Sequence, residues 1–198
     1  MKRTSTKQPV LPDLLQTGLS AVFCGTAPGH VSAAAGHYYA HPQNKFWRTL
    51  HTTGLTPRLL APAEFRDLIK YGIGLTDIAK FTSGQDNQLP KHSLGPAAAL
   101  TLKQRVQEYQ PAILAFTSLE GGRRFLGRRA MCGAQEERIG ASRIWILPSP
   151  SPKAHWNWDE AIWRVLAEEI RAAKRSLSPY GKHHCALKLG LAETRSGD

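Results

Sequence analysis

Four short runs rich in apolar residues recur along the chain, and glycine, proline or polar residues bound each of them. They occupy residues 21–25, 73–78, 112–117 and 143–147. Continuous apolar runs of about four to eight residues are typical of strands that are buried on both faces of a sheet. The pattern therefore predicts four interior strands.

Segments with helical periodicity alternate with these strands. We expect helices from Asn44 to Gly54, over 61–70, over 97–109 and from Asn157 to about residue 175. Asn157 and Glu160 have the spacing of a capping box, which places the start of the last helix near Asn157. Its apolar face is predicted to consist of Trp158, Ile162, Val165, Leu166 and Ile170.

Buried strands that alternate with amphipathic helices predict an α/β fold, a three-layer α/β/α arrangement with a short, mainly parallel central sheet. We find no internal repeat, and we expect a single domain over residues 1–198 with flexible basic arms at about 1–12 and 176–198. Ligands bind at the carboxyl ends of the strands in such folds. Two loops rich in proline or glycine, GTAPGH at 25–30 and LPSPSPKAH at 147–155, follow the first and last strands and mark the expected site.

Basic residues outnumber acidic ones by 26 to 15, which gives a formal net charge of +11. This excess favours a polyanionic partner through phosphate contacts and counterion release, although many soluble proteins are basic without binding nucleic acid. The densest basic cluster has a spacing that lets its members share a helix face, where they either contact phosphates or face solvent: Arg123, Arg124, Arg128 and Arg129.

The chain has three cysteines, too few for a four-thiolate iron–sulfur cluster, and none lies in a CxxC pair. His183, His184 and Cys185 form a cluster in a polar tail that we interpret as solvated, so we expect no metal and no cofactor. No apolar run reaches the length of a membrane span, and the basic N-terminus lacks the apolar stretch of a secretory signal. We therefore expect no membrane association and a cytoplasmic location.

Residues 22–47, VFCGTAPGHVSAAAGHYYAHPQNKFW, resemble the first motif of the mismatch-specific uracil/thymine-DNA glycosylases, a family of the uracil-DNA glycosylase superfamily. That motif combines a strand, a GxNPG loop, a glycine-alanine stretch, an aromatic residue and the ending A-H-P-x-N-x-F-W. The ending is matched here by Ala40, His41, Pro42, Asn44, Phe46 and Trp47. LPSPS at 147–151 resembles the family's second motif, LPNPSG, which follows the last strand.

The resemblance implies a role for each motif. The pocket for a flipped base would be formed by Gly25, Thr26, Ala27, Pro28, Gly29 and Asn44. Tyr39 takes the position of the aromatic residue that stacks on this base. The second motif would press into the DNA and hold its phosphates through Ser149, Pro150, Ser151, Pro152 and Lys153. The implied partner is DNA that contains uracil or a mismatched base, bound by a monomer.

Two departures from the family pattern bear on catalysis. The family's water-activating asparagine falls on Ala27, and Ser149 replaces the asparagine of the second motif. Hydrolysis still needs a group that positions water and offsets the positive charge that develops on the sugar, and a carboxylate suits both tasks. Asp86, in a polar loop, is the favoured catalytic candidate. The alternative role for Asp86, which the sequence supports equally well, is to form the turn of that loop. Asn44 and Asp77 are the other candidates, and Asp77 could instead cap the chain after its strand.

Three functions are compatible with these features. The first is a monofunctional glycosylase that removes uracil, including uracil in mismatched pairs, by base flipping and hydrolysis. The second is a glycosylase for hypoxanthine or a wider range of bases, favoured by the paired Tyr38 and Tyr39 and by the missing asparagine. The third is a catalytically inactive DNA-binding module, favoured by Ala27 and Ser149. Neither motif core contains a lysine, so we expect no Schiff-base step, although Lys153 follows the second motif closely.

Overall fold

The computed structural model describes residues 8–85 and 88–177 of the chain. Its central sheet has the strands β1 (Ala21–Gly25), β2 (Ile73–Asp77), β3 (Ile113–Phe116), β4 (Gly133–Ile139) and β5 (Ser142–Ile146). The strand order is β2-β1-β3-β5-β4. All neighbouring pairs are parallel except β4 and β5, which are antiparallel. The short, mainly parallel sheet predicted from the sequence is confirmed.

Helices cover both faces of this sheet, as the three-layer prediction requires. The α-helices are α1 (His30–Ala35), α2 (Phe46–Thr52), α3 (Pro96–Tyr109), α4 (Leu119–Leu126) and α5 (Glu160–Leu177). Short 3-10 helices span Pro62–Tyr71, Lys91–Leu94 and Pro152–Asn157. On one face, Phe23 of β1 contacts Phe46 of α2 and Trp163 of α5. On the other face, Leu102 of α3 and Phe125 of α4 pack against the buried side of β1, β3 and β5.

Two elements between β3 and β5 were not predicted. α4 begins at the Ser118 side chain, which accepts a hydrogen bond from the Gly121 N–H group (3.0 Å). β4 is an edge strand whose residues are mostly exposed, so it lacks the apolar run that reveals a buried strand. Because α4 ends at Leu126, Arg128 and Arg129 lie beyond it, and the expectation that the four arginines share a helix face is wrong.

The start and buried face of α5 also differ from the prediction. The Asp159 carboxylate accepts a hydrogen bond from the Ala161 N–H group (2.8 Å), so Asp159 takes the capping role expected of Asn157. Val165 is 51% exposed, contrary to its predicted place in the core. Leu166 and Ile170 are buried as predicted, and Trp158 and Ile162 pack partly buried against the core. Trp163 and Ala167, which were not predicted, complete the buried face at the helical spacing of three and four residues.

The described residues within the two expected arms, 8–12 and 176–177, do not behave as flexible arms, since 176–177 belong to α5. Leu11 is buried, and the Val10 N–H group donates to the Lys80 carbonyl (2.8 Å), so residues 8–12 pack onto the domain rather than forming part of an arm. The cluster His183, His184 and Cys185 lies outside the described residues. Over residues 8–85 and 88–177, no helix is both long enough and apolar enough to cross a membrane.

Candidate active site

The carboxyl ends of β1, β2 and β3 meet at one edge of the sheet, where the first-motif loop begins. Gly25 of β1 is paired in register with Asp77 of β2, and Thr117 directly follows β3. A Cβ atom at position 25 would collide with Asp77 Oδ1 and lie 3.6 Å from the Tyr39 hydroxyl oxygen. Glycine is therefore required at position 25, because it lets a carboxyl and a phenol approach the strand end.

Tyr39 is fixed at this edge by contacts at both ends of its side chain. Its ring stacks on Phe46 with a centroid separation of 3.9 Å and an interplanar angle of 20°. Its hydroxyl lies 3.1 Å from Thr117 Oγ1, and Thr117 in turn donates to the Cys24 carbonyl (3.3 Å). Burial raises the pKa of Tyr39 above its usual range, so the hydroxyl stays neutral. The half-buried ring is thus a rigid aromatic surface next to the first-motif loop.

Tyr38, its neighbour in sequence, has a different environment. Its side chain is buried, and its hydroxyl donates to the Pro12 carbonyl (3.1 Å). The hydroxyl also accepts a hydrogen bond from Lys80 Nζ (3.3 Å). The two tyrosine rings are in contact, with centroids 6.2 Å apart, but their hydroxyls bond to different partners. Hypoxanthine as an alternative substrate stays a prediction.

Asp77 is a buried carboxyl with a strongly altered pKa. It is 3% exposed, and Oδ2 makes no hydrogen bond to any residue that the structure describes. Burial raises its pKa to about 7, although the charges of Lys80 and Arg105 act in the opposite direction. No capping hydrogen bond of its side chain is found within residues 8–85 and 88–177, so the alternative role of Asp77 as a cap gains no support.

A network of charges that are only partly shielded from solvent lies beside Asp77. Asp13 Oδ1 is 2.7 Å from Lys80 Nζ, and Asp13 Oδ2 is 3.0 Å from Arg105 NH1. The Thr76 hydroxyl donates to Asp13 Oδ1 (2.6 Å), and Arg105 NH2 donates to the Asp77 carbonyl (3.1 Å). Because Asp13 supplies a charge of opposite sign to both Lys80 and Arg105, the burial of Lys80 and the partial burial of Arg105 are tolerated. The members of this network are far apart in the chain, so no local pattern in the sequence reveals it.

The first-motif loop is held against the segment that follows β2. The Thr26 carbonyl accepts from the Ala79 N–H group, and the Pro28 carbonyl accepts from the Gly84 N–H group, both at 2.9 Å. Thr26 Oγ1 lies 3.2 Å from the Ser118 hydroxyl at the start of α4. These contacts fix the backbone of the predicted base pocket.

The second motif lies next to the end of the first. The Lys45 N–H group donates to the Pro150 carbonyl (2.9 Å), and Trp163 Nε1 donates to the Pro148 carbonyl (3.0 Å). Asn44 Oδ1 accepts from the Phe46 N–H group (2.9 Å) and so starts α2. The structure therefore brings the two motifs together at the sheet edge, as their positions after strand ends predicted.

An exposed basic and aromatic surface continues from the second motif into the 3-10 helix Pro152–Asn157. Lys153 is exposed, and Trp156 is 81% exposed. The Lys45 ammonium lies 4.7 Å from the centre of the Trp158 ring. Trp156 was not among the predicted site residues, although a tryptophan beside a proline-rich loop at a strand end is a usable signal of an exposed aromatic contact.

The predicted site residues thus fall into three groups. The structure gathers the first-motif residues, Tyr39, Asn44 and the second-motif residues at one edge of the sheet, and their binding roles stay predictions. Asp77 lies at the same edge, whereas Asp86 lies outside the described residues. Among the described residues, no group of three or more His, Cys, Asp or Glu side chains has an arrangement suited to a metal ion.

Two comparisons with known proteins agree with this fold. Residues 12–168 match the family model described as the Uracil DNA glycosylase superfamily. The solution NMR structure of a Methanosarcina acetivorans protein, provisionally described as a uracil DNA glycosylase, is similar with a TM-score of 0.56 and 20% sequence identity. The similarity covers 83% of this chain and 98% of that one, and at this identity it establishes the shared fold. The narrower resemblance to the mismatch-specific family stays a prediction.

Proposed function

Because this chain belongs to the uracil DNA glycosylase superfamily, we propose that it flips uracil out of DNA and hydrolyses the bond between base and sugar, leaving an abasic site. The observation that carries the proposal is the ring of Tyr39, fixed by Phe46 and Thr117 next to Gly25, where the first-motif loop begins. A base that leaves the double helix loses its stacking, and an aromatic side chain held in place restores part of it, worth ~1–3 kcal/mol per base. Uracil in mismatched pairs belongs to the proposed substrates.

We propose Asp86 as the catalytic carboxylate. The N–H group of Gly84, two residues before Asp86, donates a hydrogen bond to the carbonyl of Pro28 in the first-motif loop. The side chain of Gln88, two residues after Asp86, has its Oε1 atom 3.5 Å from His30 Nε2. Contacts on both sides of Asp86 thus lead to the loop that carries Ala27. This arrangement supports a carboxylate that fixes the attacking water and offsets the positive charge on the sugar, in place of the missing asparagine.

Asp77 is less suited to this role. Its pKa of about 7 leaves much of it neutral at neutral pH, and a neutral carboxyl offsets no positive charge. The protonated form can still donate a hydrogen bond near the strand end. We therefore assign Asp77 a supporting role in the site and expect its substitution to affect stability more than catalysis.

The buried lysine beside Asp77 supports a monofunctional reaction. Lys80 is ion-paired with Asp13 at 2.7 Å, and an ammonium group cannot attack the sugar carbon. Water is then the nucleophile, and no covalent intermediate forms. Lys153, which follows the second motif closely, is exposed and is proposed to contact phosphate.

The surface next to the pocket supports a DNA partner. Lys45 and Lys153 supply positive charge, and Trp156 supplies an exposed aromatic ring that can stack on bases at the lesion. The net charge of +11 adds a general attraction to the phosphate backbone. We propose that this surface holds the distorted duplex while the flipped base occupies the pocket.

The test is a base-excision assay with purified protein and duplexes that contain uracil paired with adenine, uracil or thymine paired with guanine, or hypoxanthine. Alkali then reveals abasic sites. We expect cleavage at uracil by the wild type, and rates about 10²–10⁴ times lower for Asp86→Asn and Asp86→Ala, which still fold and bind DNA. Asp77→Asn is the matched control and should keep most of the activity.

Each contrary result has a distinct meaning. If Asp86→Ala excises uracil at the wild-type rate in single turnover, the catalytic assignment is wrong and Asn44 becomes the next candidate. If the wild type releases hypoxanthine but not uracil, the substrate assignment is wrong. A wild type that binds these duplexes and releases no base would be an inactive DNA-binding module.

A further inference from the structure

A large groove is lined by none of the predicted site residues. It runs between α3 and α4, over β4 and the ends of the side chains of β5, and has a volume of about 1210 Å³. Ile139 and Ile144 lie at its base, on the sheet face opposite the cluster around Phe23. Sites for small molecules are about 300–1,000 Å³, so this groove has room for a short peptide.

One wall of the groove is a mainly apolar face of α3 that no element of residues 8–85 and 88–177 covers. Pro96, Ala99, Leu100 and Lys103 follow the helical spacing of three, four and seven residues, and all four line the groove. Leu100 is 57% exposed, whereas Leu102 on the other side of α3 is buried. An exposed leucine in a concave surface with an apolar base is a contact point for apolar side chains of a partner.

The rim of the groove carries positive charge that its own acidic residues do not neutralise. Five basic side chains line it, against two acidic ones: Lys103, Arg123, Arg124, Arg128 and Arg138, with Glu120 and Glu137. Arg124 is ion-paired with Glu120 at 2.7 Å. Lys103, Arg128 and Arg138 make no ion pair with any residue of the described ranges 8–85 and 88–177.

We propose that this groove binds an acidic peptide segment of a partner protein, with apolar side chains on the α3 wall and base and carboxylates at the rim. The chain's own ends do not fit, because residues 1–7 carry three basic and no acidic residues, and residues 178–198 carry three basic against two acidic residues. DNA would satisfy the rim charges but would leave the apolar wall without a partner. The proposal is independent of the glycosylase activity.

The test uses the full chain and a fluorescein-labelled peptide of sequence DFDEIDFDEL, with binding followed by fluorescence anisotropy. A second peptide replaces each Phe, Ile and Leu with Ser and keeps the charge. We expect the first peptide to bind at least about tenfold more tightly than the second. Leu100→Ser, Lys103→Glu and Arg138→Glu should each weaken its binding by roughly fivefold or more. The control is Lys174→Glu, which makes an equal charge change at an exposed position of α5 and should have little effect on peptide binding.

Three results would overturn the proposal. Equal binding of both peptides would show that the peptide is held by charge alone, on a nonspecific basic surface. Equal effects of Lys103→Glu and Lys174→Glu would place the peptide elsewhere. A parallel loss of affinity for undamaged duplex DNA in Leu100→Ser and Lys103→Glu would make the groove a DNA contact. Circular dichroism tests whether each variant folds. If a charge-reversal variant fails to fold, Lys103→Gln, which removes the charge without reversing it, is used in its place. Uracil excision by the same variants should be unchanged, which separates this test from that of the proposed function.

Discussion

Tyr39 combines two separable interactions, a ring that stacks on Phe46 and a hydroxyl bonded to Thr117. If the ring also stacks on the flipped base, Tyr39→Ala should lose most of the activity, on the order of 100-fold, because base stacking and local packing are both removed. Tyr39→Phe keeps the ring and should remain within about tenfold of the wild type. Single-turnover excision of uracil measures both. Equal loss in the two variants would assign the role to the hydroxyl instead.

The raised pKa of Asp77 predicts that the stability of the fold depends on pH. Its pKa is about 7 in the folded protein and 3.8 in its ordinary state, so the folded state holds the proton more tightly. The stability that Asp77 contributes is fully present below pH 3.8 and is lost as pH rises to about 7, because the unfolded chain ionises first. Asp77→Asn remains neutral throughout, so its free energy of unfolding relative to wild type should rise by up to a few kcal/mol from pH 4 to pH 8.

Urea unfolding of both proteins at pH 4, 6 and 8 measures this difference. A constant difference across the three pH values would show that the Asp77 carboxyl ionises in the folded protein as it does in water.

At the scale of single residues, the sequence located the motif positions but not their surroundings. Tyr39 and Asn44 were identified because they belong to a continuous pattern of residues. The contacts among Asp13, Lys80 and Arg105 join positions far apart in the chain, and a single sequence holds no record of such contacts. The pKa of Asp77 depends on these contacts and on burial, so it could not be foreseen.

At the scale of elements, the apolar runs predicted four of the five strands and missed β4. The expectation that all four are interior is wrong for β2, which lies at one edge of the sheet. β1, β2, β3 and β5 are buried on both faces, and their composition shows it. β4 is polar because one side meets solvent, and α4 is a short helix containing two glycines. The residues 61–70 were predicted as a helix and form a 3-10 helix, Pro62–Tyr71, since hydrophobic spacing does not distinguish the two hydrogen-bond patterns.

The 3-10 helix Pro152–Asn157 carries a testable role for the second motif. Its Trp156 is 81% exposed, and an exposed indole beside the pocket can stack within a duplex whose base has been flipped. We expect Trp156→Ala to lower kcat/KM on uracil-containing duplex roughly tenfold, with a smaller effect on single-stranded DNA, where no duplex must be opened. Trp156→Phe should recover part of the loss.

Steady-state kinetics on both substrates measure the effect of Trp156. Leu59→Ala, which also removes an exposed apolar side chain, serves as the control. Equal losses of Trp156→Ala on duplex and single strand would argue for a role in forming the pocket rather than in holding the duplex.

At the scale of the whole molecule, two of its basic regions have different surroundings. Lys45 and Lys153 lie beside the aromatic surface at the sheet edge, whereas Lys103 and Arg138 line the groove between α3 and α4. The sequence supplied the total charge of +11 and the α/β class. It could not separate the two basic regions, because their separation depends on which helix covers which face of the sheet.

This separation predicts how DNA binding responds to salt. Each phosphate contact releases condensed counterions, so the logarithm of the association constant should fall linearly with the logarithm of the salt concentration, with a slope of about −0.9 per contact. If Lys153 contacts a phosphate, Lys153→Ala should make the slope shallower by about 0.9 on undamaged duplex. Lys103→Ala removes the same charge from the groove and should leave the slope as in the wild type. Fluorescence titrations between 50 and 300 mM salt, roughly the range over which such slopes are resolved, measure all three. Equal changes in both variants would mean that DNA covers the groove as well as the sheet edge, and a wild-type affinity that does not respond to salt would contradict phosphate contacts altogether.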